Sequence, residues 1–147
     1  LIGYELAIEF RNRNWVIGDQ LESTIDFVRK QGAIFVNVDA PASDHFTVMR
    51  SDVDEVTNSN LAYLRLHGRN AKAYITGKTV AARFDYDYNE KEISEVAERS
   101  RKLAKETRDV HVIFNNNNLD YAPRAAIRLR KALGQIINAP AETLELF

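Results

Sequence analysis

Apolar and polar residues alternate along Leu61–Leu66, so that Ala62, Leu64 and Leu66 fall on one side of an extended chain. Tyr63, Arg65 and His67 fall on the other side, and Gly68 breaks the run before Arg69 and Asn70. The pattern predicts a strand with a core face and a polar face whose ionisable groups crowd the last pleat. The same period recurs in Tyr4–Phe10, where Leu6, Ile8 and Phe10 oppose Ala7, Glu9 and Arg11. Ala33–Val38 sets Ile34, Val36 and Val38 against Phe35, Asn37 and Asp39, with Pro41 closing the segment. Asp109–Phe114 forms a fourth strand that runs into Asn115–Asn118.

Between these strands the period lengthens to that of helices. Asp19, with Glu22 three residues on, reads as an N-cap; it opens a helix with the stripe Leu21, Ile25 and Val28, and Gly32 stops it. Asn89 with Glu92 repeats the signal before Ile93, Val96, Ala97, Leu103 and Ala104. On the wet side of that helix Glu95 with Arg99, and Glu98 with Lys102, are spaced as i,i+4 pairs, each worth only about 0.2–0.5 kcal/mol. Pro123 and Gly134 bracket a last helix with Ala126, Leu129 and Leu133 inward, and a short helix is expected after Pro140. Residues 40–60 and 71–88 have no firm period, and connections of that length are more often functional or mobile than regular. Parallel strands need crossovers, so the order β-α-β-(loop)-β-α-β-α implies an α/β protein with a parallel sheet covered by helices.

Composition narrows the picture in a few places. Lys plus Arg (20) and Asp plus Glu (21) nearly cancel, so the chain-wide field argues for neither nucleic acid nor membrane, and an anion site must be local. No cysteine is present, which excludes disulfides and thiolate metal sites and agrees with a cytoplasmic location. No apolar run is long enough to span a bilayer. The chain enters a strand almost at once from Leu1, and reads as a segment of something longer, a single partial domain over residues 1–147.

In a parallel sheet all strand C-termini share one edge, and ligand sites of α/β folds lie there. Collected on the face away from the helices, that edge is expected to hold Glu9 and Arg11, Asn37 and Asp39, Arg65 and His67, and Asn115. Glu9, Asp39 and His67 are the candidate acids or bases. Arg11, Arg65 and Arg69, with the amides of Asn37, Asn115 and Asn116, suit an anion, because guanidinium forks pair with phosphate or carboxylate. A metal held by Glu9, Asp39 and His67 is the weaker reading, since a single histidine points there and two arginines share the space. The bland alternative is that Glu9–Arg65 or Asp39–Arg11 pairs plug the end of the sheet as structural salt bridges. His111 opens its strand at the opposite end and is expected at the surface. Arg124, Arg128 and Lys131 are expected to form a solvated helix face. No glycine-rich phosphate loop, nucleophile elbow or zinc-protease helix motif occurs, and the sequence leaves the cofactor open.

The segments AIEFRNRNW, VNVDAP, AYLRLHGRN, FDYDYNEKEI, VIFNNN and APRAAIRLRKAL occur in an order that resembles the YecE-like, domain-of-unknown-function 72 family. The resemblance runs from Tyr4 to Gly134 and implies the C-terminal half, four βα units, of a TIM-type barrel in a family of cytoplasmic proteins. It carries over Glu9, Arg11, Trp15, Asp39, Arg65, His67, Arg69, Asn115 and Asn116. Two departures stand out: Asn12, Arg13 and Asn14 replace the family's usual His-Pro-Ser, and Asn118–Tyr121 replaces a glycine-containing segment. Three functions compete. The chain belongs to an enzyme, hydrolytic or otherwise, acting on a phosphorylated or nucleic-acid-like anion; it is a module that binds a small anion or sugar without turnover; or it is a structural fragment. Its expected partners are a small anion or nucleic acid, and either a missing N-terminal barrel half or a second copy.

Overall fold

A computed structural model describes residues 4–116 and 118–136. Four parallel strands, β1 (Ala7–Ile8), β2 (Ile34–Asp39), β3 (Leu61–Leu66) and β4 (Asp109–Phe114), lie side by side in chain order. The helices are α1 (Asp19–Lys30), α2 (Ala71–Thr76), α3 (Val80–Arg83), α4 (Glu90–Leu103) and α5 (Tyr121–Ala132). The parallel pairing expected from the alternating periods holds throughout. β1 is shorter than the expected Tyr4–Phe10, because as an edge strand it has a partner on one side only.

The ladder decides which residues share a face. Val38 pairs with Arg65 and Arg65 with Ile113, while Asp39 pairs with Leu66 and Leu66 with Phe114. Leu64 and Leu66 pack with Ile93, Val96, Ala97 and Leu103 of α4 and with Ala125 and Leu129 of α5. The face bearing Phe35, Asn37 and Asp39 is therefore the helix face, which corrects their expected position on the opposite side. All six residues of β2 are buried, so polarity along that strand carries no information about which side is which. Phe35 packs with Ile25 and Val28 in the other core cluster, the first along the chain.

The helix ends show where local rules hold. Asn89 and Glu92 form a reciprocal capping box at α4, as expected. At α1 the cap is Gly18, not Asp19; Asp19 is already the first helical residue and adds favourable charge to the first turn. In α5 Leu129 is buried and Leu133 packs on the same cluster, as expected, while Ala125 takes the inward place expected of Ala126. Ala104 caps α4 at the surface and is not part of its buried stripe. Segment 71–88, which lacks a firm period, folds into the two short helices α2 and α3, capped by Asn70 and Thr79. Segment 40–60 has no helix or strand, but it buries Val48, Met49, Val53 and Thr57 against the first cluster. The helix expected after Pro140 lies outside the described residues.

Candidate functional site

On the face away from the helices, the C-terminal ends of β1, β3 and β4 bring four side chains into a closed ring of hydrogen bonds. Arg65 Nη1 donates to Glu9 Oε2 at 2.6 Å, and its Nη2 donates to Asn115 Oδ1 at 3.1 Å. That second bond orients the Asn115 amide, whose nitrogen then faces His67 Nδ1 at 3.2 Å. His67 Nε2 completes the ring by donating to Glu9 Oε1 at 3.0 Å. The ring thus joins both His67 nitrogens, one to Glu9 and one to Asn115. Arg11 Nη1 adds a further bond to Glu9 Oε1 at 2.6 Å.

Burial grades this cluster. His67 is 1% exposed, stacked on Phe84 at 5.4 Å and edge-on to Tyr74, so it supports the ring from behind. Arg65 and Arg11 retain 35% and 55% of their side-chain exposure and form the open side. Burial alone raises the pKa of Glu9, but the bond and charge of His67 and the bonds from Arg11 and Arg65 outweigh it, and the carboxyl lies at about 2. Of the two structural pairs considered from sequence, Glu9–Arg65 forms, whereas Asp39 and Arg11 lie on different pairings.

Asp39 organises a second cluster on the helix face. Its carboxylate accepts from Arg69 Nε and Nη2, from Arg99 Nη1 at 3.1 Å and from the Tyr88 hydroxyl at 2.8 Å. Burial, then the charge and bond of Asp39, push the Tyr88 hydroxyl far up, so it remains a donor while it accepts from Gly68 N–H. Arg99 also grips Asp54, and Glu95 pairs with Arg69. The expected wet-side Glu95–Arg99 pairing is thus replaced: both residues turn toward the strand end, where a buried carboxylate needs cations.

The structure therefore divides the residues singled out from sequence. Glu9, Arg11, Arg65, His67 and Asn115 meet at the inner mouth. Asp39 and Arg69 sit in the cluster on the helix face, and Asn37 is fully buried beneath segment 40–60, bonded to the Glu55 backbone and to Tyr63 O. Asn116 donates to Tyr86 O, one residue out of phase with the mouth. Trp15 packs on Phe10 and is half exposed. His111 is exposed, as expected, edge-on to Tyr63. Arg124 and Arg128 are not simply solvated: both pair with Asp87. Tyr74, Arg83 and Phe84 lie beside the mouth and were not singled out, because the segment that carries them has no strand period. Among the described residues no group of three or more His, Asp or Glu side chains is gathered as a metal would require. Glu9 and His67 are separated from Asp39 by the sheet itself.

Four parallel strands in chain order, helices on one face and polar groups gathered at the C-terminal ends on the other define half of a TIM-type barrel. The chain belongs to the family described as protein of unknown function DUF72, whose model matches residues 1–145. It is 33% identical over 116 residues to the UPF0759 protein YunF of Bacillus subtilis (strain 168), covering 76% of this chain and 40% of that protein. A crystal structure of a DUF72 family protein from Enterococcus faecalis V583 superposes with a TM-score of 0.85 at 30% identity, covering 96% of this chain and 52% of that one. A second, from Thermotoga maritima MSB8, gives a TM-score of 0.79 at 31% identity, covering 90% and 47%. The chain thus spans about half the length of the solved relatives. Among the described residues no helix is long and apolar enough to cross a membrane.

Proposed function

We propose that the inner mouth binds an anionic ligand of the phosphate type, with Arg65 and Arg11 as its contacts. One observation supports this above others: a single carboxylate, Glu9, serves two guanidinium groups, both open to solvent. Arg65 spends two of its nitrogens inside the ring and Arg11 only one, so donors exceed acceptors at the mouth. The ring of Glu9, His67 and Asn115 holds Arg65 in one rotamer, which lowers the ordering cost of binding.

Binding without turnover fits this geometry better than hydrolysis. A carboxyl with a pKa of about 2 is a poor general base near neutrality, and buried His67 has both nitrogens engaged. The phosphodiester of a nucleic acid presents the same chemical group, and an oligonucleotide titration separates it from a free anion.

The test is calorimetric titration with inorganic phosphate, alongside thermal melting, on the wild type and Arg65→Ala. A charge-assisted arginine contact is worth about 1.5–3 kcal/mol, so affinity is expected to fall roughly ten- to a hundredfold. A lower melting temperature with unchanged affinity would mean that Arg65 is a structural plug and would end this reading.

A further inference from the structure

Beside the ring lies a cleft of about 200 Å3 lined by Arg11, Thr47, Tyr74, Arg83 and Phe84. Its residues come from three separate segments: the turn after β1, segment 40–60 and the α2–α3 connection. Tyr74 is only 6% exposed, its ring edge-on to His67 and to Phe84. Its hydroxyl has no hydrogen-bond partner in the protein among the described residues. Tyr74 is one of the residues that line this cleft. Burial pushes its pKa up, which keeps it a donor.

Arg83 stands opposite in chemistry. Its Nε donates to Tyr74 O at 3.2 Å, which fixes the guanidinium at the cleft, and among the described residues no carboxylate pairs with it. Arg11 has one nitrogen on Glu9, and among the described residues its others have no hydrogen-bond partner. Two guanidinium groups and a hydroxyl thus converge on a space smaller than the roughly 300–1,000 Å3 of pockets that take drug-sized ligands. Three donors, Arg11 from the turn after β1 and Tyr74 and Arg83 from the α2–α3 connection, match the three terminal oxygens of a phosphate better than the two oxygens of a carboxylate.

We propose that this cleft is a phosphate pocket in which Arg11, Arg83 and the Tyr74 hydroxyl hold the phosphate end of a small phosphomonoester. The inference rests on the reading of the mouth as an anion site and deepens it: Arg65 then holds the adjoining part of the ligand, and Arg11 serves both.

Titration of inorganic phosphate and of acetate into the wild type, Tyr74→Phe, Arg83→Gln and Arg65→Ala tests it. Tyr74→Phe and Arg83→Gln are each expected to weaken phosphate binding about tenfold or more, with acetate bound more weakly than phosphate throughout. Phosphate affinity that falls with Arg65→Ala but not with these two variants overturns the pocket and leaves the Arg65 reading standing. The reverse pattern retains the pocket and removes Arg65. Acetate bound as tightly as phosphate overturns the assignment of ligand class, and no phosphate binding to the wild type overturns both readings. Should Arg83→Gln lower the melting temperature, Tyr74→Phe decides, because it keeps the ring packed against His67 and Phe84.

Discussion

Glu9 is the residue on which the inner mouth depends, since it touches Arg11, Arg65 and His67 at once. Its carboxyl titrates at about 2 in the folded chain against a reference of 4.5. Folding therefore favours the ionised form: the contribution is complete above about pH 4.5 and is lost as pH falls through about 2. Glu9→Gln is expected to destabilise by about 1–3 kcal/mol near neutral pH, less than a sealed pair would because Arg11 and Arg65 open to solvent. In urea unfolding the gap between wild type and variant should stay constant from pH 6 to about pH 4.5 and narrow from there to about pH 2.5. A gap independent of pH would show that packing, not charge, makes Glu9 matter. Residues such as this one were legible in the sequence because their strands alternate between a core face and a wet face, which put Glu9, Arg65 and His67 in phase. Asn37 and Asp39 were not, because β2 is buried on both sides and only the pairing of Asp39 with Leu66 reveals its face.

At the scale of elements, the α2–α3 connection was the least legible part of the chain and supplies much of the mouth's wall. Two six- and four-residue helices are too short to show a period, and their caps, Asn70 and Thr79, are residues that also mark ordinary turns. Gly77 lets the two helices meet: a Cβ there would lie 2.6 Å from Ala73 O, 2.7 Å from Arg83 Cγ and 2.9 Å from Arg83 N. The backbone of Arg83 cannot yield as a flexible side-chain tip would, so Gly77→Ala must push α3 away. The expected result is a loss of phosphate affinity comparable to Arg83→Gln, together with a drop of roughly 1–3 kcal/mol in stability. Unchanged affinity in this variant would show that the position of α3 is irrelevant to the mouth. Gly68 has a parallel role after β3. Its φ of +85° and the 2.6 Å separation of its would-be Cβ from Tyr86 Cβ explain why the strand breaks there.

For the whole molecule, the consequence of the fold is an unfinished surface. Eight strands close a TIM-type barrel, and here β1 and β4 are both edges of a four-stranded sheet. The strand period puts Ala7, Phe35 and Tyr63 on the inner pleats and predicts them exposed: Ala7 is exposed, as are Asp109, His111 and Ile113 of β4, Tyr63 is half-buried, and Phe35 is buried under α1. Beyond the strands, Trp15, Phe27 and Ile127 stand about half exposed and Leu119 is largely exposed. Apolar flanks and unpaired backbone of this kind drive association unless something covers them. Two copies placed head to tail around the barrel axis would bring each β1 beside the other copy's β4, satisfying both edges with one type of contact. The 16.8 kDa chain is therefore expected to sediment as a dimer or larger species, with a melting temperature that falls on dilution. Addition of the complementary half of a longer relative should compete with self-association by offering the same two edges their barrel neighbours. A compact monomer that unfolds cooperatively at a concentration-independent temperature would show that the half-barrel satisfies its own edges.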